Sequence, residues 1–205
     1  MTMTILPMYP TSLNERYLEL AVDTLRSGGI IIYPTDTLYA LGCDALNNNA
    51  IERICRIKGI NPQKTELSII CHDISMAAEY ARIDNRAFKI LKEYLPGPYT
   101  FLLPSSTRLP KVFKGRKTVG IRIPDNTIPT AIAEMLGNPI LTTSVEDDGE
   151  GGLIYPQSLA IQYDGTADLI IDGGEGSEIP STVVDITDSS SPQIIRPGAA
   201  PFDIG

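Results

Sequence analysis

The sequence contains no tryptophan, one histidine and only three cysteines in 205 residues. Cys43, Cys55 and Cys71 lie in apolar stretches, and their odd number predicts buried free thiols in a reducing compartment. The single histidine, His72, has no second histidine and no close pair of cysteines with which to bind zinc. We therefore expect neither a disulfide framework nor a metal site.

Long apolar runs are also absent, and no stretch is long enough to span a bilayer. The first ten residues, MTMTILPMYP, lack the basic region and the continuous apolar segment of a signal peptide. These absences predict a cytoplasmic protein without membrane contact.

Basic residues are scarce in the last part of the chain. Residues 123–205 contain 14 Asp and Glu but one basic residue, Arg196, whereas residues 1–122 contain 16 Lys and Arg against 11 Asp and Glu. The overall net charge of −8 conceals this asymmetry. An anionic ligand must therefore be met mainly by the first part of the chain, with Arg196 as the one basic contribution from the rest.

The order of the predicted elements indicates a single α/β domain over residues 1–205. Helices are predicted after a capping box at Ser12 to Glu15, from the caps at Asn47–Asn49 to Ile57, from Asp73 or Ser75, from Asp84, over Thr127–Leu136 and over 158–163. Strands are predicted at 30–33, 67–71, 99–103, 119–123, 139–144, 169–171, 182–186 and 193–196. The acidic, glycine-rich segment 145–156 is predicted to be a mobile loop.

The stretch GGIIIYPTDTLYALGCDA, residues 28–45, is the organising segment of the chain. Its isoleucine run, bounded by glycines and a proline, is typical of a short buried strand. The triplet Thr35-Asp36-Thr37 then places three side chains with acceptor oxygens in the turn after that strand. In sheets covered by helices, ligands usually bind at the carboxyl ends of strands, so this turn is a candidate ligand site.

The segment YPTDTLYALGCDA resembles the first signature of the YrdC-like family of threonylcarbamoyl-AMP synthases, within the Sua5/YciO/YrdC superfamily. Five further segments resemble the family in the same order, namely LPGPYTFLL, TVGIRIPDN, PILTTS, STVVDIT and IIRPGA. The stretches CRIKGIN and SIICHD resemble the YciO branch. The resemblance implies one twisted, open, mixed sheet flanked by helices, with a concave ligand-binding face.

The resemblance also implies roles for individual residues. Threonine would be bound by Thr35, Arg122, Ser144 and Ser181, and the nucleotide by Lys58, Lys64, Thr118 and Arg196. Without the resemblance, Lys58 is a helix-end lysine before a glycine cap. Arg122, in an otherwise apolar strand, is either an anion clamp or a structural ion pair with a C-terminal acid.

Two positions depart from the family pattern. Where the family has an arginine two residues after the lysine, this chain has Ile60, and where it has an asparagine two residues after the serine, this chain has Glu146. A bidentate phosphate contact is lost at the first position, and a negative charge is gained on the expected path of the polyphosphate at the second. We therefore expect adenylate synthesis to be slow or absent.

The resemblance implies that threonine and bicarbonate form a carbamate that attacks ATP, with Mg²⁺ accompanying ATP as a substrate complex and no permanently bound cofactor. The product would serve tRNA modification. The sequence shows no set of residues for nucleophilic catalysis, which disfavours a hydrolase or transferase reading. The alternative is a protein that binds double-stranded RNA, tRNA or nucleotides without the chemistry, for which the basic residues between Arg53 and Arg122 would provide phosphate contacts. The acidic total and the absence of tryptophan count against it, and the oligomeric state stays open.

Overall fold

The computed structural model describes residues 3–62, 64–65, 67–110, 113, 116–145 and 154–203. In these ranges the chain forms ten strands and six helices. The strands are β1 (Thr4–Pro7), β2 (Ile31–Tyr33), β3 (Ala40–Asp44), β4 (Ser68–Ile70), β5 (Tyr99–Pro104), β6 (Thr118–Arg122), β7 (Ile140–Ser144), β8 (Leu169–Asp172), β9 (Thr182–Asp185) and β10 (Gln193–Arg196). The helices are α1 (Glu15–Arg26), α2 (Asn48–Ile57), α3 (Ile74–Tyr80), α4 (Asn85–Tyr94), α5 (Thr127–Leu136) and α6 (Pro156–Gln162).

All of these strands belong to one mixed sheet in the order β1-β8-β2-β3-β7-β4-β6-β5-β9-β10. The pairs β1–β8, β8–β2, β4–β6 and β5–β9 are parallel, and the other neighbours are antiparallel. The predicted α/β class with a mixed sheet is therefore confirmed. Among the described helices, none has the length and apolar character that a bilayer span requires.

Helices cover both faces of the sheet, which explains the continuous apolar run of β2. Ile30 and Ile32 pack in the core on the face covered by α2, α3, α4 and α6. Ile31 and Tyr33 pack in the core on the opposite face, where α1 and α5 lie. A strand buried on both faces has no need of polar alternation. Helices α1 and α5 cover the part of their face near β1, β8, β2 and β3, together with one end of β7 and β4. A cavity lies over the rest of that face.

Most helix boundaries follow local capping. Asn47, Asp73 and Asp84 each cap the helix that the sequence predicts for them, and α5 has the predicted bounds. The predicted capping box at Ser12 is wrong, because Asn14 accepts the hydrogen bond from the Tyr17 amide and α1 begins two residues later than that box implies. Both residues are good caps, so local sequence alone did not choose between them.

Two strands, β1 and β3, go beyond the predicted set. β1 ends at Pro7, and its described pairing is the parallel contact with β8, which local sequence does not indicate. β3 contains Gly42, which lowers strand propensity, and its pairing with β2 and β7 compensates. Of the predicted mobile loop, residues 146–153 lie outside the described ranges.

Candidate ligand site

The turn after β2 is stabilised by its own hydroxyl groups. The Thr35 hydroxyl accepts a hydrogen bond from the Thr37 amide (3.0 Å) and donates to the Leu38 carbonyl (2.7 Å). Such local side-chain bonds close tight turns. Thr35 therefore shapes the turn, while its neighbours Asp36 and Thr37 face the rest of the sheet. Thr35 is not among the described residues that line the cavity, although Thr37 and Leu38 are.

Arg122, at the end of β6, pairs with this turn. Its Nη2 donates to Asp36 Oδ1 (3.1 Å) and Thr37 Oγ1 (3.0 Å), and Asp36 Oδ2 accepts the Asp125 amide (2.8 Å). The two charged side chains are 10% and 9% exposed, and Arg122 Nε is buried without a hydrogen-bond partner among the described residues. The carboxylate thus comes from the turn after β2, and the ion pair with a C-terminal acid that the sequence left open is wrong.

Burial perturbs both members of this pair. Burial raises the pKa of the Asp36 carboxyl, an effect that the neighbouring Arg122 charge and the Asp125 amide partly oppose. Burial likewise lowers the pKa of the Arg122 guanidinium, and Asp36 opposes that shift. Each charge is costly in this position without the other. The pair therefore fixes a guanidinium beside the cavity while limiting its net charge.

A second arginine approaches from the end of the sheet. Arg196, on β10, donates through Nη2 to the Ser181 carbonyl (2.8 Å) and lies 3.4 Å from the Ser181 hydroxyl. That hydroxyl is 2.9 Å from the Thr100 hydroxyl on β5. The chain after β10 also passes beside Ser181, where the Ala199 amide donates to the Pro180 carbonyl. Ser181 is thereby fixed between two strands.

The register of the sheet places both arginines on one face. Ile121 on β6 pairs with Phe101 on β5, so their neighbours Arg122 and Thr100 lie side by side. Thr100 pairs with Val183 on β9, and Val183 pairs with Arg196 on β10. Three strand spacings separate the two arginine Cα atoms, which is about 14 Å. The long side chains of both residues line the space above these strands.

That space is a cavity of about 260 Å³. Besides the two arginines, its polar lining consists of hydroxyl side chains, namely Thr37, Ser68, Thr100, Thr142, Thr143, Ser144 and Ser181. Leu38, Leu102, Pro180, Val183 and Ile195 supply the apolar part. Within the described residues no carboxylate lines the cavity. Guanidinium and hydroxyl groups together bind carboxylate or phosphoryl oxygens, so the arrangement suits a small anion with an apolar portion.

The missing side chain of Gly120 helps to create this room. A Cβ at position 120 would lie 2.3 Å from Ser68 Oγ and 3.2 Å from Thr100 Cγ2, both of which belong to lining residues. The lining hydroxyls of Ser68, Thr100 and Thr142 were missed by the sequence analysis. Ser68 and Thr100 lie on strands whose other residues are apolar, and Thr142 follows two apolar residues on β7. A hydroxyl at such a position is a signal that a ligand or a buried partner faces it.

The predicted nucleotide residues are distributed unevenly. Lys58 forms the C-cap of α2, and its ammonium donates to the Ser144 carbonyl (2.8 Å) at the rim of the cavity. Lys64 is exposed in the loop after α2, and Thr118 lies on the Arg122 face of β6, but neither is among the described lining residues. Ile60 packs against the hydrophobic core. Glu146 lies outside the described residues.

Comparison with known proteins places the chain in a family. The Sua5_yciO_yrdC family model, which carries the description "Telomere recombination", matches residues 23–198. The chain belongs to the Sua5/YciO/YrdC family. All of the cavity-lining residues named above, from Thr37 to Arg196, fall within the matched range. The site is therefore built wholly from the segment that this chain shares with the Sua5/YciO/YrdC family.

The chain is similar to two relatives in the Sua5/YciO/YrdC family, one uncharacterized and one named as a synthase. The uncharacterized protein YciO of Escherichia coli is 39% identical over 93% of both chains, and its crystal structure matches with a TM-score of 0.87 over 97% of each chain. The threonylcarbamoyl-AMP synthase of Pyrococcus abyssi is 32% identical over 98% of this chain and 59% of its own length. The structure of P. abyssi Sua5 complexed with L-threonine matches with a TM-score of 0.85, over 95% of this chain and 57% of that one.

Proposed function

We propose that this protein binds L-threonine in the cavity and is an enzyme of the threonylcarbamoyl-AMP synthase type. The observation that carries the proposal is Arg122. Its buried guanidinium lines a hydroxyl-rich cavity, and its Nε has no partner within the part of the chain that the structure describes. A fixed guanidinium suits the carboxylate of an amino acid. The relative named as a threonylcarbamoyl-AMP synthase and the Sua5 structure with L-threonine support this choice of ligand.

In the proposed reaction, threonine and bicarbonate first form a carbamate, with loss of water. A carbamate oxygen then attacks the α-phosphorus of ATP, and the bond to the β-phosphate oxygen breaks with release of pyrophosphate. Such chemistry depends on positioning and charge neutralisation rather than on a protein nucleophile. Arg122 would hold the threonine carboxylate, and Arg196, three strands away, would meet a phosphoryl oxygen. Mg²⁺ would enter with ATP, because no described lining residue is a carboxylate.

The two departures from the family pattern limit the proposed rate. Ile60 contributes an apolar contact to the core, so that position offers no charge to a phosphate. Glu146 would add negative charge close to the path of the polyphosphate. We therefore propose slow adenylate synthesis, with the product directed toward tRNA modification.

The test is incubation with threonine, bicarbonate, ATP and Mg²⁺, followed by measurement of pyrophosphate, together with calorimetric titration of threonine. Arg122→Ala should abolish threonine binding while circular dichroism shows a folded protein. Arg53→Ala is the matched control, because Arg53 pairs with Asp168 (2.9 Å) through side chains that are both partly exposed and lie outside the cavity lining. A folded Arg122→Ala protein that binds threonine normally would show that Arg122 is a structural ion-pair residue only.

A second candidate function is binding of double-stranded RNA. The observation in its favour is that Arg116 donates to the Pro62 carbonyl (2.8 Å), which brings this residue beside the loop that carries Lys64. Phosphate contacts made by such residues would release counterions, so affinity for a short RNA duplex should fall steeply with rising salt. Salt-independent binding would contradict the electrostatic explanation, and RNA binding without pyrophosphate release would favour this function over the first.

A further inference from the structure

Tyr33 is a fully buried tyrosine whose hydroxyl points to the cavity wall. It ends β2, and its hydroxyl donates to the Thr142 hydroxyl on β7 at 2.8 Å. The two strands are not neighbours, because β3 lies between them. A buried tyrosine hydroxyl needs a partner, but here the partner is a cavity-lining side chain two strands away.

Gly42 makes this crossing possible. In the register of the sheet, Tyr33 pairs with Ala40 on β3, and Gly42 pairs with Thr142 on β7. The tyrosine ring therefore passes over position 42 to reach β7. A Cβ at that position would lie 2.5 Å from Tyr33 Cε1 and 2.9 Å from its hydroxyl oxygen. The glycine, the ring and the threonine thus form one arrangement across three adjacent strands.

The hydrogen bond has a direction that matters for a ligand. A threonine hydroxyl has one proton and two lone pairs, and Tyr33 occupies one lone pair of Thr142. Burial raises the pKa of the Tyr33 hydroxyl, so this hydroxyl keeps the proton that it donates to Thr142. In the described part of the chain, the Thr142 hydroxyl donates its own proton to no protein atom. That proton is available to a ligand in the cavity.

The register of the sheet shows where Thr142 lies relative to Arg122. Ile140, two residues earlier on β7 and on the same face, pairs with Ile70 on β4, and Ile70 pairs with Arg122 on β6. Thr142 and Arg122 both line the cavity. A ligand whose anionic oxygens meet the guanidinium therefore has Thr142 on the β7 side of the same space.

We propose that Tyr33 is a positioning residue that acts through Thr142, fixing the Thr142 hydroxyl as a hydrogen-bond donor to an anionic oxygen of the cavity ligand. The proposal rests on threonine binding as the proposed function and adds a specific group to it. A purely structural role for Tyr33 predicts something different. In that case the loss of its hydroxyl lowers stability and leaves ligand affinity unchanged.

The experiment is calorimetric titration of L-threonine into the unchanged protein and four variants: Tyr33→Phe, Thr142→Ser, Thr142→Val and the double variant with Tyr33→Phe and Thr142→Val. We expect Tyr33→Phe to weaken affinity about fivefold and Thr142→Val about tenfold, the size of one hydrogen bond. Thr142→Ser keeps the hydroxyl and should recover most of that loss. The double variant should bind no more weakly than Thr142→Val, because Tyr33 acts only through that hydroxyl.

Tyr99→Phe is the matched control. Its hydroxyl donates to the Pro201 carbonyl (2.7 Å), and its ring belongs to the core on the other face of the sheet. This variant loses a comparable hydrogen bond and should keep its threonine affinity. Urea unfolding of every variant separates folding effects from binding effects.

Each result decides the proposal. A folded Tyr33→Phe protein with unchanged affinity would overturn the role of Tyr33 and leave the proposed function intact. Tyr33→Phe could also lower threonine affinity by the same factor in the unchanged protein and in the Thr142→Val protein. That result would show that Tyr33 does not act through Thr142 and would overturn the proposal. If Tyr33→Phe does not fold, equal affinities of Thr142→Ser and Thr142→Val would overturn the proposal. If the unchanged protein does not bind threonine, both the proposed function and this role of Tyr33 are overturned.

Discussion

Replacing Asp36 by alanine removes the carboxylate that faces Arg122 and leaves the guanidinium buried. Arg122 then keeps the Thr37 hydroxyl at 3.0 Å as an acceptor, while its side chain is only 10% exposed. A guanidinium cannot lose its proton in a protein, so the unpaired charge persists. We expect Asp36→Ala to lower the free energy of unfolding by about 3–5 kcal/mol at neutral pH.

Arg122→Met should cost less, although it breaks the same pair. Asp36 retains the Asp125 amide at 2.8 Å, and a carboxylate can neutralise itself by binding a proton. We expect a loss of about 1–3 kcal/mol. Without Arg122, nothing as strong opposes the effect of burial, which already raises the pKa of Asp36. The folded state of this variant then binds a proton at a pH at which the unfolded chain does not.

This difference in proton binding fixes the pH dependence. Because the folded pKa of Asp36 lies above its unfolded value, stability increases as the pH falls through the folded pKa. The stability deficit of Arg122→Met should therefore shrink as the pH is lowered from 7 toward the unfolded pKa. The deficit of Asp36→Ala should not shrink in this way, since Arg122 keeps its charge throughout.

The assay is urea unfolding followed by circular dichroism at several pH values. Arg53→Met serves as the control, because its pair with Asp168 is partly exposed and should contribute about 1 kcal/mol or less. Equal losses for Asp36→Ala and Arg122→Met would refute the reasoning. A deficit of Arg122→Met that does not change with pH would refute it as well.

Three further predictions concern the cavity and the core. Arg196→Ala should change stability by about 1 kcal/mol or less, since Arg196 is exposed, yet weaken ATP binding at least about tenfold in a direct titration. Ile60→Arg combined with Glu146→Asn should raise pyrophosphate release roughly 5- to 150-fold, with non-additive single effects, and no gain in a folded double variant would contradict the importance of these positions. Burial raises the thiol pKa values of Cys43 and Cys71. Both thiols should therefore resist alkylation in the native protein and react once urea unfolds it. Rapid labelling of the native protein would argue against this packing.

Local sequence was sufficient for much of the secondary structure. The α5 helix could be predicted from Pro129, which is tolerated in a first turn, and from Gly137 after its end, and the structure gives the same bounds. The buried strand β2 could be predicted from its isoleucine run. These features depend on residues within one or two turns of each other, so a single sequence contains the necessary information.

The site was only partly accessible to this reasoning. Arg122, Ser144, Ser181 and Arg196 were selected through the family resemblance, and all four line the cavity, while their roles toward threonine or nucleotide stay predictions. The partner of Arg122 could not be predicted, because Asp36 meets it only through the order of the strands in the sheet. Periodicity specifies which face a residue occupies but does not specify which distant strand lies beside it.

The hydrogen bond between Tyr33 and Thr142 also could not be predicted from the sequence. It requires that β3 lie between β2 and β7, that their registers match, and that position 42 lack a side chain. Each condition is satisfied by a different segment of the chain. A sequence shows the tyrosine, the glycine and the threonine, but their meeting is a property of the assembled sheet.

The pairing of β1 with β8 has a consequence for how quickly the protein folds. The first strand of the chain meets its neighbour only after most of the sequence has been synthesised, and the cavity likewise draws on segments from Thr37 to Arg196. Contacts between such distant segments form slowly, because ordering the intervening chain costs entropy before those contacts stabilise it. In a refolding experiment, helical circular dichroism should therefore recover early. Threonine binding should return last, as the signal that the sheet is complete.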